Sequence, residues 1–317
     1  MSREVHVPFC EQPLGKFQRL TLLCEAIGVR YAFINDHLAE YSLSTMCDIL
    51  DVSKSGYYDW TKRDHDAKAA KKLELVRQVE KIHQGSRGTY GSPRILPVLH
   101  GLGISCSHGK LERLMRDHGI RSKTKKKFKV TTDSKHSMPV ADNLAQRDFA
   151  VGTPNKLWLA DITYIWTREG WLYLAAVLDA GTRKLIGWSM KDRMTTDLVQ
   201  DALDMAYNRQ DCPVGVMHHS DRGSQYASLL YQQCLHRYGM VGSMSGRGQC
   251  WDNAPMESFF HSLKTEHVYF EDFQYRSQAR ESIFEWIEVF YNRQRLHSTL
   301  VYSTPECYEQ AALAKVS

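Results

Sequence analysis

Two apolar, strand-forming runs each carry an aspartate, and this constrains the chain more than any other feature. One run is Leu157-Trp158-Leu159-Ala160-Asp161-Ile162-Thr163-Tyr164-Ile165; the other, Val214-Gly215-Val216-Met217-His218-His219-Ser220-Asp221, ends on its acid. An isolated carboxylate is costly to bury, so a fold that contains both runs has to bring the acids to a place where their charge is offset. A third acid, Glu257, lies in Trp251-Asp252-Asn253-Ala254-Pro255-Met256-Glu257-Ser258-Phe259-Phe260, which reads as a helix start. Lys264 follows it by two helical turns, on the same face. Among 36 acidic residues the spacing alone proves nothing. The surroundings carry the argument: carboxylates converging from strand ends and a neighbouring helix suit a two-metal phosphoryl-transfer site. Magnesium takes a few carboxylates, several waters and the substrate phosphates.

The element order is read from period and turn chemistry. Leu157–Trp166, Trp171–Asp179 and Lys184–Met190 read as an antiparallel meander, with turns at Arg168-Glu169-Gly170 and Ala180-Gly181-Thr182. A helix over Thr195–Asn208, a strand over Gly215–His219, a helix over Ser228–Tyr238 and a strand over Met240–Ser245 follow. The glycine-rich Gly246–Gly248 then leads to the Glu257 helix, with Asp252 at its entrance. The expected class is α/β: a ribonuclease H-like mixed five-stranded sheet with flanking helices, preceded by an α-helical helix-turn-helix region. By analogy with that topology, the first and fourth strands are neighbours, and Asp161 and Asp221 meet. His218 and His219 face opposite sides of their strand, so one is expected to be buried. Trp286, Phe290 and Tyr291 read as packing residues of a C-terminal helix, with Arg293 and Arg295 in reach of phosphate.

The front of the chain is different. Residues 1–150 hold 25 Lys and Arg against 17 Asp and Glu, whereas the remainder holds 16 against 19. That asymmetry suits a polyanion-binding module joined to a metal-using one. A short helix over Thr45–Leu50, a turn at Asp51-Val52 and a cap at Ser53 fit a compact helix-turn-helix or, equally, a plain helical hairpin. After a longer helix over Ala67–His83, the loop Gly85–Arg94 leads, with Ser92 as cap and Pro93 in the first turn, into Arg94–His100. Ser107 is expected to cap His108–His118, whose Leu111, Leu114 and Met115 form a buried stripe. Lys110, Arg113 and Arg116 on its other face suit a DNA groove. The basic run Arg121-Ser122-Lys123-Thr124-Lys125-Lys126-Lys127-Phe128-Lys129 reads as a solvated linker or a segment along phosphates.

Other classes fall away. The chain has 317 residues, 43% hydrophobic and 24% charged, and no apolar run long enough for a membrane. Met1 to Lys16 lacks a signal-peptide pattern, so a cytoplasmic, nucleoid-associated protein is expected. Eight cysteines form no Cys-x-x-Cys pair and no zinc-ligand spacing. The expected domains are an N-terminal helical segment (1–41), a DNA-binding region (42–135), a linker (136–156), the catalytic core (157–270) and a C-terminal helical extension (271–317).

These motifs resemble a known family. Trp158-Leu159-Ala160-Asp161-Ile162-Thr163-Tyr164, His219-Ser220-Asp221-Arg222-Gly223-Ser224-Gln225-Tyr226 and the Trp251–Phe260 segment with Leu263-Lys264-Thr265-Glu266 are similar to the integrase-like transposases of bacterial insertion sequences, the family named after insertion sequence three. Tyr291-Asn292-Arg293, Arg295, His297-Ser298, Tyr57-Tyr58 and Tyr90-Gly91-Ser92-Pro93-Arg94 extend the resemblance from about residue 30 to about 310. Val301 departs from the glycine that the family favours after its His-Ser-x-Leu stretch.

The resemblance implies a transposase that cleaves and joins strands at the ends of an insertion sequence. Asp161, Asp221 and Glu257 would be its catalytic acids and metal ligands, holding two Mg²⁺ ions for which Mn²⁺ can substitute. It implies Lys264 on a phosphate near the terminal nucleotides, and Asn253 and His261 beside Glu257 as further DNA contacts. Partners are double-stranded DNA, further copies of the chain in a synaptic complex, and the product of an upstream reading frame. A retroviral-type integrase is disfavoured because no His-x-x-x-His and Cys-x-x-Cys module precedes Asp161. A DNA-binding repressor or accessory protein with an inactive core is the alternative from another class.

Overall fold

The computed structural model describes residues 26–62, 65–124, 141–147, 149, 152–246 and 249–315. Its chain divides into two compact units, residues 1–75 and 76–317, a division that falls inside the stretch read as one DNA-binding region. In the first unit α1 (Ile27–Asp36), α2 (Leu43–Ile49) and α3 (Lys54–Thr61) enclose Tyr31, Ile34, Met46, Cys47, Leu50 and Tyr57. Ser42 Oγ accepts from Thr45 N at 3.2 Å and Ser53 Oγ from Gly56 N at 3.0 Å, each filling a vacant donor of a first turn. Gly56 lets the Tyr31 ring approach: a Cβ there would lie 2.1 Å from the Tyr31 hydroxyl and displace it.

α4 (His65–Gly85) runs across the division. In the second unit it is followed by α5 (Ser92–Gly101) and α6 (His108–Asp117). Ser107 caps α6 as expected, accepting from Lys110 N at 3.4 Å. Ser92 does not cap α5: Gly91 holds that position, and Ser92 Oγ meets His108 Nε2 at 3.2 Å. Pro93 in the first turn removes a donor that would otherwise need a cap.

The sheet has the order β3-β2-β1-β4-β5, from β1 (Leu157–Thr167), β2 (Gly170–Asp179), β3 (Leu185–Lys191), β4 (Met217–Ser220) and β5 (Val241–Met244). The β1–β2 and β2–β3 pairings are antiparallel; β1–β4 and β4–β5 are parallel. This is the five-stranded mixed sheet that the element order predicts. α7 (Thr196–Arg209), α8 (Ser224–Ala227) and α9 (Leu229–Arg237) cover one face, where Trp158, Ala160 and Val177 meet Leu198, Leu203 and Tyr231. α7 approaches so closely that a Cβ on Gly187 of β3 would lie 2.2 Å from the Ala202 carbonyl oxygen.

On the other face α10 (Ala254–Glu266) and α11 (Arg276–Glu285) pack Met256, Phe259, Leu263 and Ile283 against Leu157, Leu159 and Ile165. α11 runs into a π-helical segment, Trp286–Tyr291, and a last helix, α12 (Pro305–Leu313), follows. Trp286, Phe290 and Tyr291 are buried in this core, as their spacing predicts. Each such side chain contributes about 1.5–3 kcal/mol by leaving water.

Because both faces are covered, both histidines of β4 are buried, not one. His218 Nε2 meets the Tyr231 hydroxyl at 2.9 Å, and His219 lies between Ser243 Oγ (2.9 Å) and Ser245 Oγ (3.1 Å). Burial and the adjacent His219 push the His218 pKa down to about 3, so the ring is neutral near pH 7.

Candidate active site

The parallel pairing of β1 and β4 places Ala160 opposite Ser220. The residue after each is an acid, so Asp161, still within β1, and Asp221, just past the end of β4, stand side by side. Asp161 Oδ1 accepts from Ile162 N at 2.7 Å, and Asp221 Oδ1 accepts from Gly223 N at 2.9 Å. The second contact turns the chain from β4 into α8. Burial pushes the Asp161 carboxyl well above the usual range, and the negative charges of Asp221 and Glu257 push the same way. The Ile162 amide and Lys264 oppose them. Glu257 stands in the first turn of α10, exposed on its outer side, with its pKa raised by partial burial.

Lys264, two turns along α10, is partly buried. Burial lowers its pKa, Asp161 counteracts this, and its Nζ stands 4.9 Å from the centre of the Tyr164 ring. The site thus holds three carboxylates and one desolvated cation. Among the described residues no three His, Cys, Asp or Glu side chains close into a ready-made metal cage. The donor set is all oxygen and over-charged, which fits a hard cation that keeps its own waters. Two further groups face inward here without a hydrogen-bond partner among the described residues: the Tyr226 hydroxyl and Asn253 Oδ1. Burial raises the Tyr226 pKa well above its ordinary value, with further contributions from Tyr231, Asp161 and Asp221. In the sequence Tyr226 stands only as the last residue of the His219–Tyr226 motif, without a role in the site.

Several expected contacts land elsewhere. Asn253 is buried, and its Nδ2 donates to the Ala160 carbonyl at 3.1 Å. It braces the strand that carries Asp161. Arg295 is buried too, held by Glu266 through Nη2 at 2.6 Å and Nε at 2.8 Å, so it is not free to meet phosphate. Asp252 is more than a helix entrance: it accepts from Arg147 Nε at 2.7 Å, Asn143 Nδ2 at 2.8 Å and Gly246 N at 2.8 Å. His261 and Arg293 are exposed.

Lys110, Arg113 and Arg116 are exposed on α6, opposite buried Leu111, Leu114 and Met115. Lys123 is exposed, with Nζ 4.1 Å from the centre of the Phe270 ring. Lys125, Lys126, Lys127 and Lys129 lie outside the described residues. The loop before α5 is tied to the C-terminal segment: the Tyr90 hydroxyl donates to the Gln294 carbonyl at 3.0 Å and accepts from Leu296 N at 2.7 Å. Arg94 Nε donates to the Leu296 carbonyl at 3.1 Å. Neither tie was legible locally, because the partners are about 200 residues apart in the chain.

Comparison with known proteins agrees with this architecture. Two models of an integrase core domain match residues 152–250 and 238–305, and an HTH-like domain matches residues 70–128. The transposase InsF for insertion sequence IS3A of Escherichia coli strain K12 is 41% identical over 290 residues, 90% of this chain and 100% of that protein. The 31 kDa protein of insertion element IS600 from Shigella sonnei is 42% identical over 265 residues, 84% of this chain and 97% of that one. Among solved structures, a simian T-cell lymphotropic virus intasome is 16% identical with a TM-score of 0.43, covering 73% of this chain and 74% of that one. No helix among the described residues is long and apolar enough to cross a membrane. At 41% identity over nine-tenths of its length, the chain belongs to the IS3 family of insertion-sequence transposases.

Proposed function

We propose that Asp161, Asp221 and Glu257 are the catalytic acids with which this transposase cuts and joins DNA strands. The observation that carries the reading is the β1–β4 register, which sets Asp161 in mid-β1 beside Asp221 just past the end of β4, where the charges of Asp221, Glu257 and Lys264 all act on the Asp161 carboxyl. A raised carboxyl pKa means that the ionised site works against folding at neutral pH. A bound cation reverses that. Asp161 from within β1, Asp221 from just past β4 and Glu257 from α10 would hold it. Magnesium, with two ions and manganese as a substitute, is the reading we favour; when bound it activates the attacking oxygen and stabilises the departing one.

Lys264, desolvated beside the acids, meets a phosphate near the terminal nucleotides. Water cleaves first, and the freed 3′-hydroxyl then attacks a second phosphodiester, so no serine or tyrosine nucleophile is required. Lys110, Arg113 and Arg116 contact duplex DNA from α6, with His261, Lys123 and the basic run as further contacts. The assembly contains several copies of the chain on DNA, and the upstream reading-frame product joins it.

Purified full-length protein, incubated with a duplex carrying the element's end, should cleave and transfer strands with Mg²⁺ and do neither in a chelator. Binding without cleavage in Mg²⁺ or Mn²⁺ would return the chain to the repressor reading.

A further inference from the structure

The β1–β2 hairpin exposes two large aromatic side chains, Trp166 and Trp171. Tyr164 and Trp166 share a face of β1, and Trp171 of β2 lies directly opposite Trp166 in the ladder. The ring centres of Tyr164 and Trp171 are 4.9 Å apart, as are those of Trp171 and Trp166. Trp166 is 59% exposed and Trp171 43%. Side chains this large and apolar, exposed side by side, mark a contact surface. At the inner end of the run, Lys264 Nζ sits over Tyr164, and Lys264 is also the cation that counteracts the acids on Asp161. The rings of Tyr164, Trp171 and Trp166 therefore run from Lys264 to the hairpin tip.

The charged residues at the tip also have contacts within the chain, although Arg168 stays 63% exposed in its ion pair. Arg168 pairs with Asp272, the Arg276 amide with Glu169, and Arg276 Nε with the Trp171 carbonyl. The exposed ring surface of Trp166 and Trp171 suits the faces of bases better than phosphates. Every base has such a face, and stacking on an aromatic side chain tolerates any sequence.

We propose that Tyr164, Trp171 and Trp166 form a stacking platform for the unpaired bases of a frayed DNA end, next to the acids that cut it. This rests on the acid cluster being the DNA-cleaving site. It gives the enzyme a preference for melted over blunt ends that no base-specific contact supplies. A pair of tryptophans opposite each other also stabilises a hairpin, so the test has to separate stacking from packing.

Full-length protein is titrated, without divalent metal, with two duplexes of the same end sequence, one blunt and one ending in three unpaired nucleotides that include 2-aminopurine. The wild type should bind the frayed duplex about tenfold more tightly, the scale of one stacked base, and should quench the 2-aminopurine. Trp166→Leu, which keeps apolar packing but not the ring, and Trp171→Leu should each lose most of the preference and the quench. Trp166→Phe should retain them. Thermal unfolding of each variant shows whether the hairpin survives; the wild-type quench reads stacking without any variant. Cleavage by a wild type that neither prefers the frayed end nor quenches it overturns the platform alone. A wild type that binds neither duplex overturns the DNA-cleaving reading with it. Leucine variants that keep the frayed-end preference but change the oligomeric state would show that the rings face a second copy of the chain, which also overturns the proposal.

Discussion

Replacing Glu266 by glutamine should be the most damaging near-isosteric change outside the acid cluster. Glu266 ends α10, the helix that carries Glu257 and Lys264, and is 9% exposed; Arg295 is 4% exposed. Both carboxylate oxygens accept from Arg295, whose Nη2 also donates to Ser262 Oγ at 3.1 Å. Arg94 Nη1 stands 3.8 Å from Oε1 of the same carboxylate. Without that charge, two guanidiniums face each other with no counter-ion. The neighbouring His297, kept neutral because burial and the cations around it push its pKa down to about 2, lies 3.4 Å from Arg295 Nη1 but brings no negative charge. Breaking a buried pair by removing one partner costs about 3–5 kcal/mol. For a unit of this size that lowers Tm by roughly 6–20 °C. Guanidinium unfolding should show a lower midpoint at an unchanged slope. Glu266→Leu combined with Arg295→Met should recover at least half of the loss, because apolar groups of similar volume replace such pairs well. A loss below about 1 kcal/mol in Glu266→Gln would refute the reasoning, since a pair that cheap to break is solvated.

Stability should fall as pH drops below 6.5, because His218 is neutral in the fold with a pKa of about 3 and takes up a proton when unfolded. Its share is about 2 kcal/mol at pH 5 and grows until pH 3; His218→Phe should flatten that slope in denaturant titrations. Asp252→Asn should cost about 1–3 kcal/mol, because Arg147, Asn143 and the Gly246 amide all depend on its carboxylate; a neutral effect on the midpoint would contradict this. Val301→Gly should stabilise by about 1 kcal/mol, because Val301 is 87% exposed with φ +53°, where a β-branched residue is strained and glycine is not; a lower Tm would count against the strain.

Local pattern revealed the parts of this molecule that depend on local physics. Period-two runs located all five strands to within about two residues, and Ser53 and Ser107 cap the helices that they precede. Asp161 and Asp221 stood out because each interrupts or ends an apolar strand. Partnerships across the fold were not legible. Arg295 looked like a surface cation because Glu266 and Arg94 reach it only in three dimensions. Asn253 looked like a DNA contact because its spacing from Glu257 suggested a shared helix face. It precedes the helix instead and turns back to the Ala160 carbonyl. Burial of both His218 and His219 depends on helices covering both sheet faces, which no alternation within β4 encodes. Val301 shows the converse: a departure from the family pattern visible in the sequence gains its physical meaning from a left-handed backbone angle.

The claim that three acids act as one site is tested most directly by Glu257→Gln. The side chain is exposed in the first turn of α10, so the amide should leave the fold and DNA binding intact. A bound divalent ion supplies several kcal/mol of transition-state stabilisation, so strand cleavage and strand transfer should fall together by about 100-fold or more. The assay is single-turnover cleavage and joining of an end-containing duplex in Mg²⁺, with Asp161→Asn and Asp221→Asn measured alongside. Collapse of both steps in all three variants, at unchanged DNA affinity, is the expected result. Wild-type turnover by Glu257→Gln would show that α10 contributes a different group and that the three acids are not one site.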